Sequence, residues 1–327
     1  MQKWITFLMT LLVGSVSYAN ADAGTEVDFE AGYRRDNISW TVQAPACDPL
    51  FRSHTKFEDI DIFQIGVHGR ANVGCNLYVR GSASGGWILD GDFKEKTNLF
   101  FNESDFSAEF GSVDEIGVGF RSADTVDGKF VVDLSAAVGY PFYFCDCTME
   151  VAPVIGYGFN EQSLRVERRN RRGFDNSSSF LFAENDNCDR GGCCNEHFIS
   201  RWYGPFIGVD FVYNPCNDCW SLWAELEYHW ARNKTKRREF AGFDNFGEFD
   251  NTARHAHGWV FNVGADYAFC HCWTVGMSVK VQDWGSTRRH RECGRDSSNE
   301  FFGSDTKVKT HVQWHSFAVS LDLGRQF

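Results

Sequence analysis

The stretch "TMEVAPVIGYGF", Thr148 to Phe159, decides the fold. Met149, Val151, Pro153, Ile155, Tyr157 and Phe159 fall on one face of an extended chain. Thr148, Glu150, Ala152, Val154, Gly156 and Gly158 fall on the other. A period of two, with one face large and apolar and the other small or charged, is the pattern of a half-buried β-strand.

The same pattern recurs outward in both directions. In Trp202 to Tyr213, Tyr203, Ile207, Val209, Phe211 and Tyr213 oppose Gly204, Gly208 and Asp210. In Ser221 to Trp230, Leu222, Ala224, Leu226, Tyr228 and Trp230 oppose Glu225, Glu227 and His229. Trp259 to Phe269, Val275 to Val281 and the C-terminal run Ser316 to Phe327 repeat it. The apolar faces suit either the interior of a soluble sandwich or the lipid side of a transmembrane barrel. Tyr and Trp clustered at strand ends, short turns alternating with long polar loops, and Phe327 directly after an alternating strand favour the barrel. The expected fold is all-β, a closed antiparallel transmembrane β-barrel of about ten strands.

The strands are expected near 25–42, 57–73, 75–89, 129–144, 147–167, 200–215, 220–236, 256–270, 272–288 and 308–327. Short turns belong on the periplasmic side. The long polar segments 43–56, 90–128, 168–199, 237–255 and 289–307 belong outside. Glu115 to Ala123 reads as part of an extracellular insertion. Pro153 and Pro205 each remove a ladder donor, which a bulge would accommodate. Residues 1–21, with Lys3, the apolar run Trp4 to Val16 and small residues at Ala19 and Ala21, read as a secretory signal peptide. The barrel then occupies 22–327. Aromatic residues make up 16%, and the net charge of -12 disfavours nucleic acid as a partner.

An exported chain meets an oxidising compartment, so its 12 cysteines matter. Cys75, Cys145, Cys147, Cys216, Cys219, Cys270 and Cys272 all fall in the short turns. Zinc needs four converging ligands, and only Cys216 and Cys219 have Cys-x-x-Cys spacing. A thioredoxin-like role needs a βαβ context, which is absent. Disulfides within or between adjacent turns fit. So do cross-links to other envelope proteins, because a bridge inside Cys-x-Cys is strained.

These cysteine-bearing turns on an exported, aromatic-rich, Phe-terminated barrel resemble the outer-membrane proteins of chlamydial bacteria. Most similar is the Protochlamydia outer membrane protein family of amoeba symbionts. The resemblance implies an abundant structural envelope protein of the outer membrane with porin activity, in envelopes strengthened by disulfides. A second resemblance is to omptins, ten-stranded aspartate/histidine surface proteases. "SASGGWILDGDF", Ser82 to Phe93, looks like the omptin segment with an Asp-x-Asp pair, which would be Asp90 and Asp92. "WYGPFIGVDFVY", Trp202 to Tyr213, is similar to that family's Pro-aromatic-Ile-Gly strand. The Asp-x-His pair that omptins also need is missing from "HWARNKTKRREF", His229 to Phe240. An acidic pair alone cannot supply that mechanism's general base.

The face opposite lipid would line a lumen: Asp28, Glu30, Arg34, His68, Arg70, Arg80, Asp133, Glu150, Asp210, Glu225, Glu227, His229, Asp266, Lys280 and Asp322. Acids exceed bases, which favours cations if the lumen is open. A barrel of this size is open as a narrow pore or filled by its own side chains. Arg168, Arg169, Arg171, Arg172, Arg237, Arg238, Arg288 and Arg289 cluster at outer strand ends, as candidates to bind lipopolysaccharide phosphates. The reading is a structural envelope barrel with porin-like passage of small solutes, cross-linked through its periplasmic turns. It has no cofactor. An omptin-like protease and a surface adhesion module are the rival classes.

Overall fold

A computed structural model describes residues 25–44, 50–73, 77–100, 117–123, 126–145, 148–167, 195–215, 219–238, 249–270, 273–292 and 306–326. The expected signal peptide and Phe327 lie outside them. The strands are β1 (Thr25–Ala44), β2 (Leu50–Val73), β3 (Leu77–Phe100), β4 (Gly117–Ala123), β5 (Val126–Gly139) and β6 (Phe142–Phe144). They continue with β7 (Met149–Glu167), β8 (Asn195–Tyr213), β9 (Trp220–Arg238), β10 (Phe249–Cys270), β11 (Trp273–Glu292) and β12 (Thr306–Gln326).

The sheet closes on itself. β1 pairs antiparallel with β12 from Glu26 opposite Gln326 to Gln43 opposite Lys309. The ring continues from β2 through β3, β5 and β7 to β11, giving ten antiparallel staves. A closed sheet leaves no unpaired edge in lipid, where an unsatisfied backbone group is costly. β4 and β6 are pieces of the β5 stave. β4 pairs the outer half of β3, Phe93 opposite Ala123, and β6 pairs the start of β7, Phe142 opposite Val151. The segment expected as an extracellular insertion thus lies on the outer side but is built into the wall.

Neither expected proline bulge forms. The ladder is instead interrupted for two residue pairs without changing register. β8 and β9 pair at Tyr203–Arg232 and again at Phe206–His229, bypassing Pro205. β7 pairs β5 at Val154–Gly139 and β6 at Val151–Phe142, bypassing Pro153. True bulges occur elsewhere. Asp59 sits at φ 51° between β1 and β2 and donates its N–H to Asn37 Oδ1 at 2.9 Å. Arg254 and His255 together oppose Arg232 between β10 and β9.

Those bulges explain why the strands exceed their expected ends. β2 starts at Leu50, β3 reaches Phe100 and β10 starts at Phe249. A bulge adds one residue and shifts the side-chain phase. In β2 the inward set is Ile60, Ile62 and Gln64 on one side of Asp59, but Phe57, Thr55 and Ser53 on the other. Alternation read at constant phase fails there, and the outer halves look like loops. Strands of 19–24 residues, at ~3.3 Å rise and ~40° tilt, stand roughly 50 Å tall. That is about twice the ~25 Å apolar band of such barrels, so the wall projects well beyond the membrane.

The outer face carries the apolar band. Phe29, Ile65, Leu321, Met277 and Ile155 are exposed in its middle. Tyr213, Trp220, Phe269 and Trp273 ring the short-turn end, and Tyr33, Trp87, Tyr157, Trp230 and Trp259 ring the other. These are the two interfacial girdles of an outer-membrane barrel. Above the second girdle the wall turns polar outside, and an apolar cluster joins the polar groups inside. Ile38, Trp40, Phe57, Ile60, Phe93, Leu164 and Phe198 form a buried cluster there.

Because every stave is paired on both sides, the barrel should resist detergent until boiled. Unboiled protein is expected to migrate faster on a gel than boiled protein. Identical migration before and after boiling would rule out the closed sheet.

Candidate functional site

The lumen inside the membrane band is a network of charges. Arg80 on β3 donates to Glu227 at 2.6 Å and forms ion pairs with Asp210 at 2.9 Å and Glu225 at 2.7 Å. All three acids stand on the far wall, on β8 and β9, so Arg80 is a strut across the barrel. His229 Nε2 lies 2.6 Å from Glu227, and His68 Nε2 lies 3.1 Å from Glu225. Asn262 donates to Glu225 at 3.3 Å. Arg70 pairs with Glu26, and its guanidinium comes within 4.0 Å of Asp266. Glu150 accepts from Asn72 at 3.3 Å. Arg34 bridges Asp36 at 2.8 Å and Asp133 at 2.6 Å, and Gln162 donates to Asp36. A buried charge is costly unless paired, and the strand register brings a partner of opposite charge to Asp210, Glu225, Glu227, Glu26, Asp36 and Asp133.

Asp28, Glu30, Arg34, His68, Arg80, Asp133, Glu225, Glu227, His229, Asp266, Lys280 and Asp322 line one interior cavity of about 60 Å³. That is room for a few water molecules. Among the described residues no three His, Cys, Asp or Glu groups are arranged to hold a metal ion.

Above the charges lies a layer of tryptophan. Trp284 and Trp314 stack with ring centres 5.7 Å apart and planes 13° apart. Trp202, from the opposite wall, meets them at 5.7 and 6.4 Å. All three are at most 1% exposed. His229 packs on Trp284 at 4.8 Å, Phe206 packs on His229 at 4.6 Å, and the Arg34 guanidinium covers Trp314 at 5.3 Å. Gly258 makes room for this layer, since a Cβ there would collide with the Trp284 indole. Higher still, Arg237 holds Glu95 through two bonds of 2.8 and 3.1 Å beside Phe198. The lumen is therefore filled by its own side chains. The tryptophans were legible as three large residues on faces otherwise small or polar, Trp202 beside Gly204 and Trp314 beside Ser316.

One sequence expectation needs correction, for two of the eight candidate arginines. Arg237 and Arg288 do not face the outside: Arg237 pairs inward with Glu95, and Arg288 donates to the buried Asn251 at 2.9 Å. Each falls on the inward parity of its strand. Arg168, Arg169, Arg171 and Arg172 lie outside the described residues, as do the side chains of Arg238 and Arg289. Asp90 and Asp92 do not form a cleft pair inside the barrel. Asp90 sits at the β2–β3 bulge, where its Oδ1 accepts from Gly91 N–H at 2.9 Å. The inward residues flanking this step are Ile88 and Phe93, which leaves the acids on the outer wall.

On the short-turn rim, Cys145 and Cys219 are exposed with unpaired thiols. Backbone bonds close one of these turns and tie others to their neighbours. Thr148 N–H donates to Cys145 C=O at 3.1 Å, Asn214 N–H to Thr148 C=O at 2.8 Å, and Ala268 N–H to Cys219 C=O at 2.8 Å. Cys270 ends β10. Cys75, Cys147, Cys216 and Cys272 lie outside the described residues.

Comparison with known proteins agrees with the fold. The model of a family described as Protochlamydia outer membrane protein matches residues 28–327. No curated protein matches the chain. Among solved structures, the outer membrane protease OmpT from Escherichia coli superposes with a TM-score of 0.62 at 12% identity, over 93% of this chain and 97% of that one. The outer membrane protein OprG from Pseudomonas aeruginosa gives 0.31 at 10% identity, over 92% and 95%. A FadL homologue from the same organism gives 0.31 at 11%, over 91% and 90%. At these identities the likeness to OmpT is one of fold.

Replacing Arg80 by Ala would leave three buried carboxylates without their shared cation. The expected loss is ~3–5 kcal/mol of stability, the usual cost of breaking a buried ion pair. It would be read as a lower urea midpoint in detergent micelles. Arg80→Lys should recover part of it, because one ammonium cannot reproduce the guanidinium fork. A wild-type midpoint for Arg80→Ala would show that the strut does not hold the walls.

Proposed function

This chain belongs to the Protochlamydia outer membrane protein family, and on that premise we propose that it is a structural barrel of the outer membrane whose lumen is closed at rest. The observation that carries this is the stack of Trp202, Trp284 and Trp314 across the lumen. Porin-like passage of small solutes, which the sequence led us to expect, requires that layer to part. Below it, Asp28, Glu30, Asp133, Glu150, Asp210, Glu225, Glu227, Asp266 and Asp322 outnumber Arg34, Arg70, Arg80 and Lys280, so whatever passes would be cationic. We read the protein as a non-enzyme. The outward position of Asp90 and Asp92 supports that reading, together with the absence of an Asp-x-His pair between His229 and Phe240.

Planar-bilayer recording tests the closed lumen. Wild-type protein is expected to give little steady conductance. The Trp202→Ala/Trp284→Ala/Trp314→Ala variant should open to a cation-selective current. Steady porin-sized current through the native protein would overturn the closed state.

The second element of the proposal is the periplasmic rim. Seven of the 12 cysteines fall in four tight turns, and Cys145 and Cys219 among them are exposed. This supports cross-linking to other envelope proteins in an oxidising space. On non-reducing gels of envelopes, native protein should run as high-mass species that collapse on reduction. A variant with Cys75, Cys145, Cys147, Cys216, Cys219, Cys270 and Cys272 all changed to Ser should not. If both run as the same monomer without reductant, the turns do no more than tie themselves together.

A further inference from the structure

The outer wall carries a groove that neither the closed lumen nor the cysteine rim uses. It lies on β7 to β10 at the upper aromatic girdle and encloses about 500 Å³. Its floor and sides are Tyr157, Tyr203, Tyr228 and Trp230, and its cations are Arg232 and Arg254. Two irregularities of the sheet shape it. On one side of β9 the ladder is interrupted at Gly204 and Pro205. On the other side, the β10 bulge sets Arg254 and His255 against Arg232. A bulge re-aims side chains, and this one brings a second arginine to the first.

We propose that this groove seats a phosphate-bearing lipid of the outer leaflet, with its phosphate on Arg232 and Arg254 and its acyl chains against the aromatic wall. Two observations support one such occupant. Both arginines are exposed and, among the described residues, neither has an ion-pair partner, although the protein as a whole has a net charge of -12. Guanidinium forks match phosphate oxygens in a bidentate way. The groove also lies where the apolar band ends. Below it the outward residues are Trp259 and Phe261, and above it they are Lys234 and Lys236. A lipid head group sits at that level, with the aromatic rings beside its upper chains. His255 and His257 border the same groove and add donors. The lipid contact assigned from sequence to Arg237 and Arg288 thus moves to two arginines lower on the wall.

The test uses folded full-length protein in a phosphate-free maltoside detergent, with native mass spectrometry counting retained lipid. Diphosphoryl lipid A is the probe, its dephosphorylated counterpart and inorganic phosphate are the comparisons, and the gel shift on boiling certifies folding. Wild type should retain the phosphorylated probe about tenfold or more better than the dephosphorylated one. Arg232→Gln/Arg254→Gln should lose that preference, while Lys94→Ala on the far wall keeps it. If the double variant fails to fold, each single Gln variant should show a partial loss. Equal retention by wild type and the Gln variants, or equal binding of both lipids, would overturn the proposal. So would displacement of the lipid by millimolar inorganic phosphate, which would mark a free-anion site. These outcomes do not depend on whether the lumen conducts.

Discussion

Closure of the sheet between β1 and β12 is the constraint from which the rest follows. Once the sheet closes, each strand has one face toward lipid and one toward a narrow interior, and side chains alternate between them without choice. The lipid face must then be apolar, as at Phe29, Met277 and Leu321. The interior cannot simply be apolar as well: a ten-stranded barrel apolar on both faces would give its strands no preferred side. Charges specify the interior, and charges there must satisfy one another. Arg80, which reaches from β3 to acids on β8 and β9, couples walls that share no backbone bond.

The molecule is inside-out for only half its height. Within the membrane band it is polar inside and apolar outside. Above the upper girdle, Phe57, Phe93 and Phe198 pack inward, and Lys56 and Lys94 face outward as in a soluble barrel. Trp202, Trp284 and Trp314 stand where the two interiors meet. Their rings cover the charged network from above and floor the apolar cluster from below. Tryptophan suits that boundary because it has a large apolar body and a polar edge. The Trp284 N–H donates to Gln282 at 3.2 Å on the polar side.

Several irregularities of the sheet lie where that exchange of solvent occurs. The bulges at Asp59 and at Arg254–His255, together with the interrupted ladder at Pro205, lie near the upper girdle. Each alters what the wall presents outside while leaving the barrel closed. In β2 the phase slip lets the strand carry inward Ile60 below and inward Phe57 above. In β10 and β8 the irregularities open the tyrosine-lined groove. The prolines are accommodated by interrupting the ladder for two residue pairs on one side of the strand with the register kept, whereas a change of register would turn every later side chain to the wrong face.

The sequence by itself determined the class of fold and most of the lumen, because a period of two survives translation into structure wherever a strand runs without a bulge. Glu225, Glu227 and His229 could be placed inward from their spacing in Ser221 to Trp230 alone, and the ten staves followed from counting such runs. The tertiary structure decided what alternation does not encode. Whether Arg237 looks in or out depends on its parity counted up β9 to the outer rim, a stretch that read as loop. Whether the lumen is open depends on Trp202 meeting Trp284 and Trp314 from the opposite wall, at separations in sequence of 82 and 112 residues. Whether Asp90 and Asp92 face a cleft depends on the local phase at a bulge. Periodicity fixes the side of the wall a residue takes. Only closure of the ring fixes what stands across from it.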